Sequence, residues 1–408
     1  MAVVGAGAAG LLAAIAAASS GASVVLIERT ADGGRKILIS GGGRCNILPS
    51  ALAPERFVTD SPPHLMRRML KAWPLREQRA FFENDVGIPL ALESATGKLF
   101  PKSDRARDVR DGLVALACRL GVRLEFNTSL TGLERSARNG WSLETSRGVI
   151  KADRVVLATG GLSVPATGSD GTGLRLAVKL GHRLIPTYPA LTPLLAEQSG
   201  HAGLAGVSMD VRLRSQLNGR AIETHGAFLF THRGYSGPAV LDISHVATKP
   251  RCASSAALSA SSAAVIRVLW SSLDAAAWTR EFAAASSLIS SVLGRHLPAR
   301  LARQLMQEAG VAEARRSVEL RRTERTALVE RLTSYPLPWS GHEGYKKAEV
   351  TGGGIALGEV DPRTLESRRH PGLFLCGEML DAFGPIGGHN FAWAWATGRV
   401  AGLGAAGA

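Results

Sequence analysis

The chain has little of what usually fixes a function class early. Its four cysteines (Cys45, Cys118, Cys252 and Cys376) include no Cys-x-x-Cys pair. No zinc spacing and no disulfide framework follow, so no metal site is expected and the usage fits a reducing cytoplasm. Aromatic residues are only 5% of the chain, and no run of adjacent basic residues exceeds two. An aromatic-interleaved basic patch for nucleic acid is therefore missing, as is any recognisable RNA module. There is no internal repeat. Past residue 27 no apolar stretch is long enough to span a bilayer. The opening, MAVVGAGAAGLLAAIAAASSGASVVLIE, has no charged side chain between Met1 and Glu28. A secretion signal would need a basic segment before its apolar core, Leu11 to Ala18, and none is present. A membrane helix is disfavoured by Gly5, Gly7, Gly10 and Gly21 and by the weak hydrophobicity of alanine.

What is there explains the spacing better. Val3-Val4 begins a strand, Gly5-x-Gly7-x-x-Gly10 follows, and Ala13, Ala14, Ala17 and Ala18 give a small-faced helix. Ser23 to Ile27 is then a buried strand ending in Glu28, 18 residues after Gly10. This is a βαβ unit with a dinucleotide fingerprint. Gly5 allows the tight turn, Gly7 the approach of backbone to pyrophosphate, and Gly10 the close packing of helix on sheet. The helix N-terminus offers free N–H groups to phosphate, and Glu28 stands where an acid accepts hydrogen bonds from a ribose. The first strand begins almost at Met1, which leaves open a start upstream.

At 408 residues, 45% hydrophobic and 20% charged, the chain suits two or three globular domains. The net charge of +14 favours anionic partners. It is carried mostly by Arg in an Ala- and Gly-rich sequence, so base composition is the simpler account and RNA the alternative. A glycine-rich loop with Arg35, Lys36 and Arg44 spans 31–46. Residues 64–86 read as helical, 97–102 as a turn and 104–120 as an amphipathic helix. Strands are expected at 122–127, 130–134, 141–146 and 153–158, and a short helix at 174–180. Alternating stretches at 206–217 and 220–231 read as antiparallel strands around a glycine-rich turn at 232–238. Residues 252–264 read as a low-complexity loop, 273–333 as helical, 373–376 as a strand, and the C-terminus as a helix. The simplest organisation is a discontinuous nucleotide domain, 1–188 and 344–408, interrupted by an insert at 189–343.

The fingerprint alone allows NAD or FAD. No second Gly-x-Gly-x-x-Gly appears, so one nucleotide domain serves the whole chain. Ala158-Thr159-Gly160-Gly161 and Gly377-Glu378 each end a strand, a pairing that resembles flavoproteins of the glutathione-reductase type. That resemblance implies that Glu378 lies at the ribityl or pyrophosphate region. It also implies that the helix after Gly387-Gly388-His389-Asn390 faces the flavin pyrimidine ring.

More specifically, five stretches resemble the aminoacetone-oxidase-like (BaiN/RdsA-like) FAD-dependent flavoproteins, along nearly the whole chain. They are GRKILISGGGRCN (34–46), GKLFPKSDRA (97–106), THRGYSGP (231–238), AEVTGGG (348–354) and NFAWAWATG (390–398). The resemblance implies an α/β fold: a Rossmann-like FAD domain carrying an insert with a β-barrel-like part and a small helical part. It implies redox chemistry, with both reductases and oxidases assigned in the family. Two positions depart from its pattern: His389 stands where Tyr or Phe is usual, and Ile386 where Thr is common.

Fingerprint and resemblance together put FAD against Gly5, Gly7, Ala8, Ala9, Gly10, Glu28 and Arg29. In the glycine-rich loop the expected contacts are Arg35, Lys36, Ser40, Gly41, Gly42, Arg44, Cys45 and Asn46. Further along they are Leu130, Thr159, Gly160, Gly161, Gly377, Glu378, Gly387, Gly388, His389 and Asn390. The glycines flanking the cations would be costly without a ligand. Cys45 reads either as a redox thiol or, more simply, as a packing residue, and Cys376 as core. His389, His232 and Tyr235 are the candidates for acid–base work, each against a purely structural alternative. Trp393 and Trp395 cannot share a helix face, so one is expected in the core and the other against a neighbouring segment. The expected function is hydride transfer between flavin N5 and a small organic substrate held between FAD domain and insert, with NAD(P)H left open as the electron donor. The alternatives are an RNA-modifying flavoprotein and a protein that uses FAD only structurally.

Overall fold

The computed structural model describes residues 1–136, 140–196, 200–217, 219–249 and 265–407. The segment 252–264, expected as a loop, lies outside them, as does Cys252. The chain divides into two units, Met1–Pro189 with Glu349–Ala408, and Ala190–Ala348.

The first unit is organised by five three-residue strands, four of them fully buried: β1 (Ala2–Val4), β2 (Val25–Ile27), β3 (Arg123–Glu125), β4 (Val155–Leu157) and β5 (Leu373–Leu375). They form one sheet in the order β5-β4-β1-β2-β3, every pairing parallel. Continuous Val/Leu/Ile runs are what a sheet covered on both faces requires. Helix α1 (Ala8–Ser19) is buried from Ala9 to Ala17, which explains its lack of a polar face. The C-terminal helix, α2 (His389–Ala406), packs directly on α1. A Cβ at Gly398 would stand 2.3 Å from the Ala9 carbonyl oxygen, and one at Gly402 the same distance from that of Ala13. Both tryptophans of α2 are core residues, a correction to the expected division between them. The Trp393 indole donates to the Gly377 carbonyl and that of Trp395 to the Ile47 carbonyl, each at 3.1 Å.

Besides helices Pro63–Lys71, Leu75–Ala80, Ala106–Arg119 and Thr172–Lys179, the described part of this unit holds two three-stranded antiparallel sheets and a pairing of Leu184–Ala190 with Val350–Ile355. One contains Leu130–Arg135, Trp141–Thr145 and Gly148–Ala152, the last strand unforeseen because Gly148 turns the chain so tightly. The other contains Leu48–Pro49, Lys98–Pro101 and Leu90–Glu93. The expected turn at 97–102 is thus largely a strand. Its turn lies at 94–97, ending at Gly97 with φ +64°; buried Leu99 pairs with both neighbours, Leu48 and Leu92, and buried Phe100 with Ala91.

The second unit has its own apolar core. Its seven-stranded sheet runs from Tyr335–Pro336 at one end of the strand order to Gly341–His342 at the other. A flat sheet would separate such ends by roughly 29 Å. The five steps from Pro336 to Gly341 reach only about 17 Å. The sheet therefore curls strongly, which is the barrel-like part. Within it Gly234–Ser236 is a strand, where a turn had been expected over 232–238. Only 231–234 turns, closed by the Thr231 N–H donating to the Gly234 carbonyl at 2.8 Å. Helices Ala275–Ala284, Ile289–Leu293, Ala299–Glu308 and Arg322–Thr333 account for the helical stretch.

Candidate functional site

A cavity of about 580 Å³ opens beside the β1–α1 turn, walled entirely by residues of the first unit. Its volume is in the range of small-molecule and cofactor sites. At one end the Glu28 carboxylate, almost fully buried, accepts from the Ala6 N–H (2.8 Å) and from the Thr30 N–H and hydroxyl (2.7 and 2.8 Å). An ionised carboxylate offers about four acceptor sites, so one remains for a ligand hydroxyl. Beside it Arg29 pairs with Asp170, and 128–131 complete the wall. Burial raises the Asp170 carboxyl, but hydrogen bonds from Arg29 and Thr172 outweigh it and hold the group down to about 2.

Next comes the N-terminus of α1. Gly7 is its N-cap, no side chain caps the helix, and no acidic residue occupies its first turn. A Cβ on Gly7 would meet nothing within 4 Å, whereas one on Gly5 would stand 2.5 Å from the Ala158 carbonyl oxygen. Gly7 therefore opens onto space. An apolar, uncapped helix end facing a cavity fits a phosphate-bearing cofactor.

The middle of the wall holds a cluster that spacing alone does not announce. Lys36 Nζ donates to Glu378 Oε2 and to Ser163 Oγ, both at 2.5 Å, and the Ser163 hydroxyl donates to Glu378 Oε1 at 2.5 Å. The Thr351 N–H donates to the same oxygen at 2.9 Å. Lys36 and Glu378, expected as separate cofactor contacts, thus satisfy each other while still lining the cavity. Arg35 also lines it and is drawn to Asp32, its Nε 2.7 Å from the carboxylate.

A further part of the wall is formed by Ser40–Gly42, Asn46, Lys98, Ile386–Gly388, Asn390 and Phe391, with Gly388 against Asn46 and Gly387 against Lys98. The amide of Asn390 is spent on its own loop, donating to the Gly384 carbonyl and accepting from the Gly384 N–H, both at 2.9 Å. With its amide turned to satisfy both partners, Asn46 accepts from the Gly388 N–H at 3.0 Å and donates to the Leu48 carbonyl at 3.2 Å. Gly388 therefore shapes the wall, and its N–H is not among those α2 leaves for a ligand.

Of the residues expected at the cofactor, Gly5, Gly7, Ala8, Ala9, Glu28, Arg29, Arg35, Lys36, Ser40, Gly41, Gly42, Asn46, Leu130, Thr159, Gly160, Glu378, Gly387, Gly388 and Asn390 line one cavity. Six do not. Gly10 packs against the Gly5 carbonyl, Gly161 against Thr351, and Gly377 against Ala9. The Arg44 guanidinium turns to Glu93 (3.0 Å) and Asp104 (2.8 Å) and stacks on Phe100. Cys45 is buried, and burial pushes its thiol up to about 12, which leaves it no nucleophilic character at neutral pH. His389 lies off the cavity with its ring edge-on to Phe57. Tyr235 is buried in the second unit, its hydroxyl 2.7 Å from His201 Nδ1, while His232 is exposed there. Neither lines the cavity.

Residues that spacing missed include Lys98, Asp170, Phe383 and Phe391. Asp170 sits between Gly168 and Gly171, both at positive φ, a turn signal that could have marked it. Among the described residues no cluster of potential metal ligands occurs, and no helix is long and apolar enough to cross a membrane.

Burial, then the Arg56 cation, push the His389 imidazole down to about 4. The unfolded chain binds that proton near 6.5, so this histidine withdraws stability as pH falls from 6.5 towards 4. His389→Phe is expected to flatten that window in a thermal-unfolding pH series; an unchanged slope would refute the burial account.

The chain matches the family described as HI0933-like protein Rossmann domain over residues 1–404. It is 33% identical to the 3-dehydro-bile acid delta(4,6)-reductase of Clostridium scindens, over 99% of this chain and 98% of that one. It is 32% identical to the ribosomal RNA dihydrouridine synthase of Escherichia coli, over 97% and 95%. Among solved structures, the 3-ketosteroid delta1-dehydrogenase of Sterolibacterium denitrificans aligns with a TM-score of 0.50 at 14% identity, covering 100% of this chain and 99% of that one, a likeness of fold. With the family matched over nearly the whole length, this chain belongs to the HI0933-like family of Rossmann-fold, FAD-dependent oxidoreductases.

Proposed function

We propose that the chain is an FAD-dependent reductase, fed by NAD(P)H, of a carbon–carbon double bond conjugated to a carbonyl in a small organic substrate. The observation that carries it is the single cavity joining the fingerprint turn to the start of α2. Bound there, FAD supplies the hydride chemistry. The chain's own residues do the rest. Glu28 holds the ribose end, the first N–H groups of α1 receive the pyrophosphate, and the Lys36–Glu378–Ser163 cluster fixes the wall between. Ile39, Phe383, Ile386 and Phe391 give the wall an apolar portion that limits water. The names of the two relatives share a chemical step: each describes saturation of a double bond in a ring bearing a carbonyl.

An RNA substrate is the second reading, favoured by the net charge of +14 and by the dihydrouridine synthases at 32% and 28% identity. One experiment separates them. NADPH and then NADH are titrated anaerobically into the FAD-loaded protein while the visible spectrum is recorded. The bleached protein is then offered a 3-oxo-Δ4 steroid or a ribosomal RNA transcript. Colour returning with the steroid supports the first reading, and with the transcript the second. A flavin that neither nicotinamide bleaches overturns the assigned donor.

A further inference from the structure

Four cations line the cavity: Arg29, Arg35, Lys36 and Lys98. The first three are each held by a carboxylate, of Asp170, Asp32 and Glu378. Lys98 alone has no hydrogen bond or ion pair to its ammonium among the described residues. Its freedom has a structural cause. Glu93 is its cross-strand partner and the nearest carboxylate by register. Glu93 commits Oε1 to Arg44 at 3.0 Å and Oε2 to the Thr96 hydroxyl at 2.5 Å. The stem of Lys98 then runs over Gly387, where a Cβ would stand 3.6 Å from Lys98 Cε. That is ordinary van der Waals contact, so the Lys98 stem packs against the Gly387 backbone, which has φ +107°.

The position within the cavity gives the free charge a task. In a dinucleotide site the acid after the second strand takes a ribose and the first helix N-terminus takes the pyrophosphate. Glu28 and Gly7 occupy those places here, so the remaining end, walled by Asn46, Lys98, Gly387 and Phe391, receives the other half of the cofactor, its redox ring. We infer that Lys98 is a cation which the fold keeps unpaired at the redox end, where it stabilises the negative charge that bound flavin acquires on reduction. The inference rests on the FAD reading above. Placing charge beside the ring is one of the ways a protein tunes this cofactor. Glu93 attracts the Lys98 charge across the strand pair, but with its oxygens bound by Arg44 and Thr96 it forms no ion pair that would neutralise it at the ring.

The test compares wild type, Lys98→Met, Lys98→Arg and Lys102→Met, each loaded with FAD. Lys102 is exposed and controls for loss of one charge. Two quantities are read: the affinity for sulfite, which adds to oxidised flavin and leaves it negatively charged, and the midpoint potential of the bound flavin. Lys98→Met is expected to retain FAD yet bind sulfite about tenfold more weakly, equivalent for a two-electron couple to a potential lower by about 30 mV. Lys98→Arg should recover most of both, and Lys102→Met should match wild type. If Lys98→Met keeps its FAD with wild-type sulfite affinity and potential, the role of Lys98 is overturned while the FAD reading stands. If Lys98→Met does not hold FAD, Lys98→Gln takes its place, with the same criteria. Wild-type protein that takes up no FAD overturns the functional reading itself.

Discussion

Gly7→Asp protein is expected to fold as the wild type does and to purify without FAD. The two halves of that result have separate causes. Gly7 has φ −78° and ψ −171°, an extended conformation open to any residue, and a Cβ there touches nothing within 4 Å. Asp is moreover a favoured N-cap residue, and α1 has no side-chain cap, so stability should hold or rise by a few tenths of a kcal/mol. The same carboxylate would sit at the helix N-terminus where the pyrophosphate belongs. It satisfies the free N–H groups itself and repels a second anion. Gly10→Val is the informative contrast. A Cβ at Gly10 would stand 1.7 Å from the Gly5 carbonyl oxygen, so this change should prevent the β1–α1 turn from closing and leave little folded protein. Far-UV circular dichroism, thermal unfolding and FAD released per chain read both variants. A Gly7→Asp protein that retains full FAD would sink the fingerprint assignment, because a pyrophosphate seated at that turn would not tolerate a carboxylate beside it.

The same two glycines show what the sequence could say about the site. Gly5, Gly7, Gly10 and Glu28 act through backbone spacing, and spacing is visible in a one-dimensional string. The loop at 34–46 is different. Gly34, Gly41, Gly42, Gly43 and Cys45 all have positive φ, and each such residue redirects the side chains after it. Arg35 and Lys36 consequently face the cavity while Arg44, in the same loop and of the same charge, turns away to Glu93 and Asp104. No periodicity predicts that reversal. Pairings across the chain are equally silent: Lys36 and Glu378 are 342 positions apart, and their separate expected roles merge once the sheet brings them together. Lys98 was hidden for a third reason. Its stretch contains Gly97, which reads as a turn, and the strand that follows becomes evident only when Leu90–Glu93 and Leu48–Pro49 supply its partners. Three-residue strands such as β4 and β5 were legible because buried parallel strands are apolar throughout.

Gly398→Ala and Gly402→Ala are expected to destabilise the protein, although alanine is the better helix former. In an exposed helix the exchange would gain about 1 kcal/mol. Here each new methyl would lie 2.3 Å from a carbonyl oxygen of α1, Ala9 for Gly398 and Ala13 for Gly402. Those obstacles are backbone atoms of a helix buried against the sheet, so neither can rotate aside as a flexible side chain would. Relief requires α2 to move off α1, and overpacking of this kind costs about 1–3 kcal/mol, more where the neighbour is rigid. The clash therefore outweighs propensity, and each variant should unfold several degrees below wild type. Gly398→Val, with two further methyl groups, should be worse than either. The effect should also reach the cavity, since α2 carries Asn390, Phe391, Trp393 and Ala394 in its wall. Moving the helix separates those residues from Gly7 and Ala8 on α1, so FAD retention should fall in step with the melting temperature. Gly398→Ala protein that melts at or above the wild-type temperature would show that α1 and α2 have room between them, and that the glycines are there for some other reason than close approach.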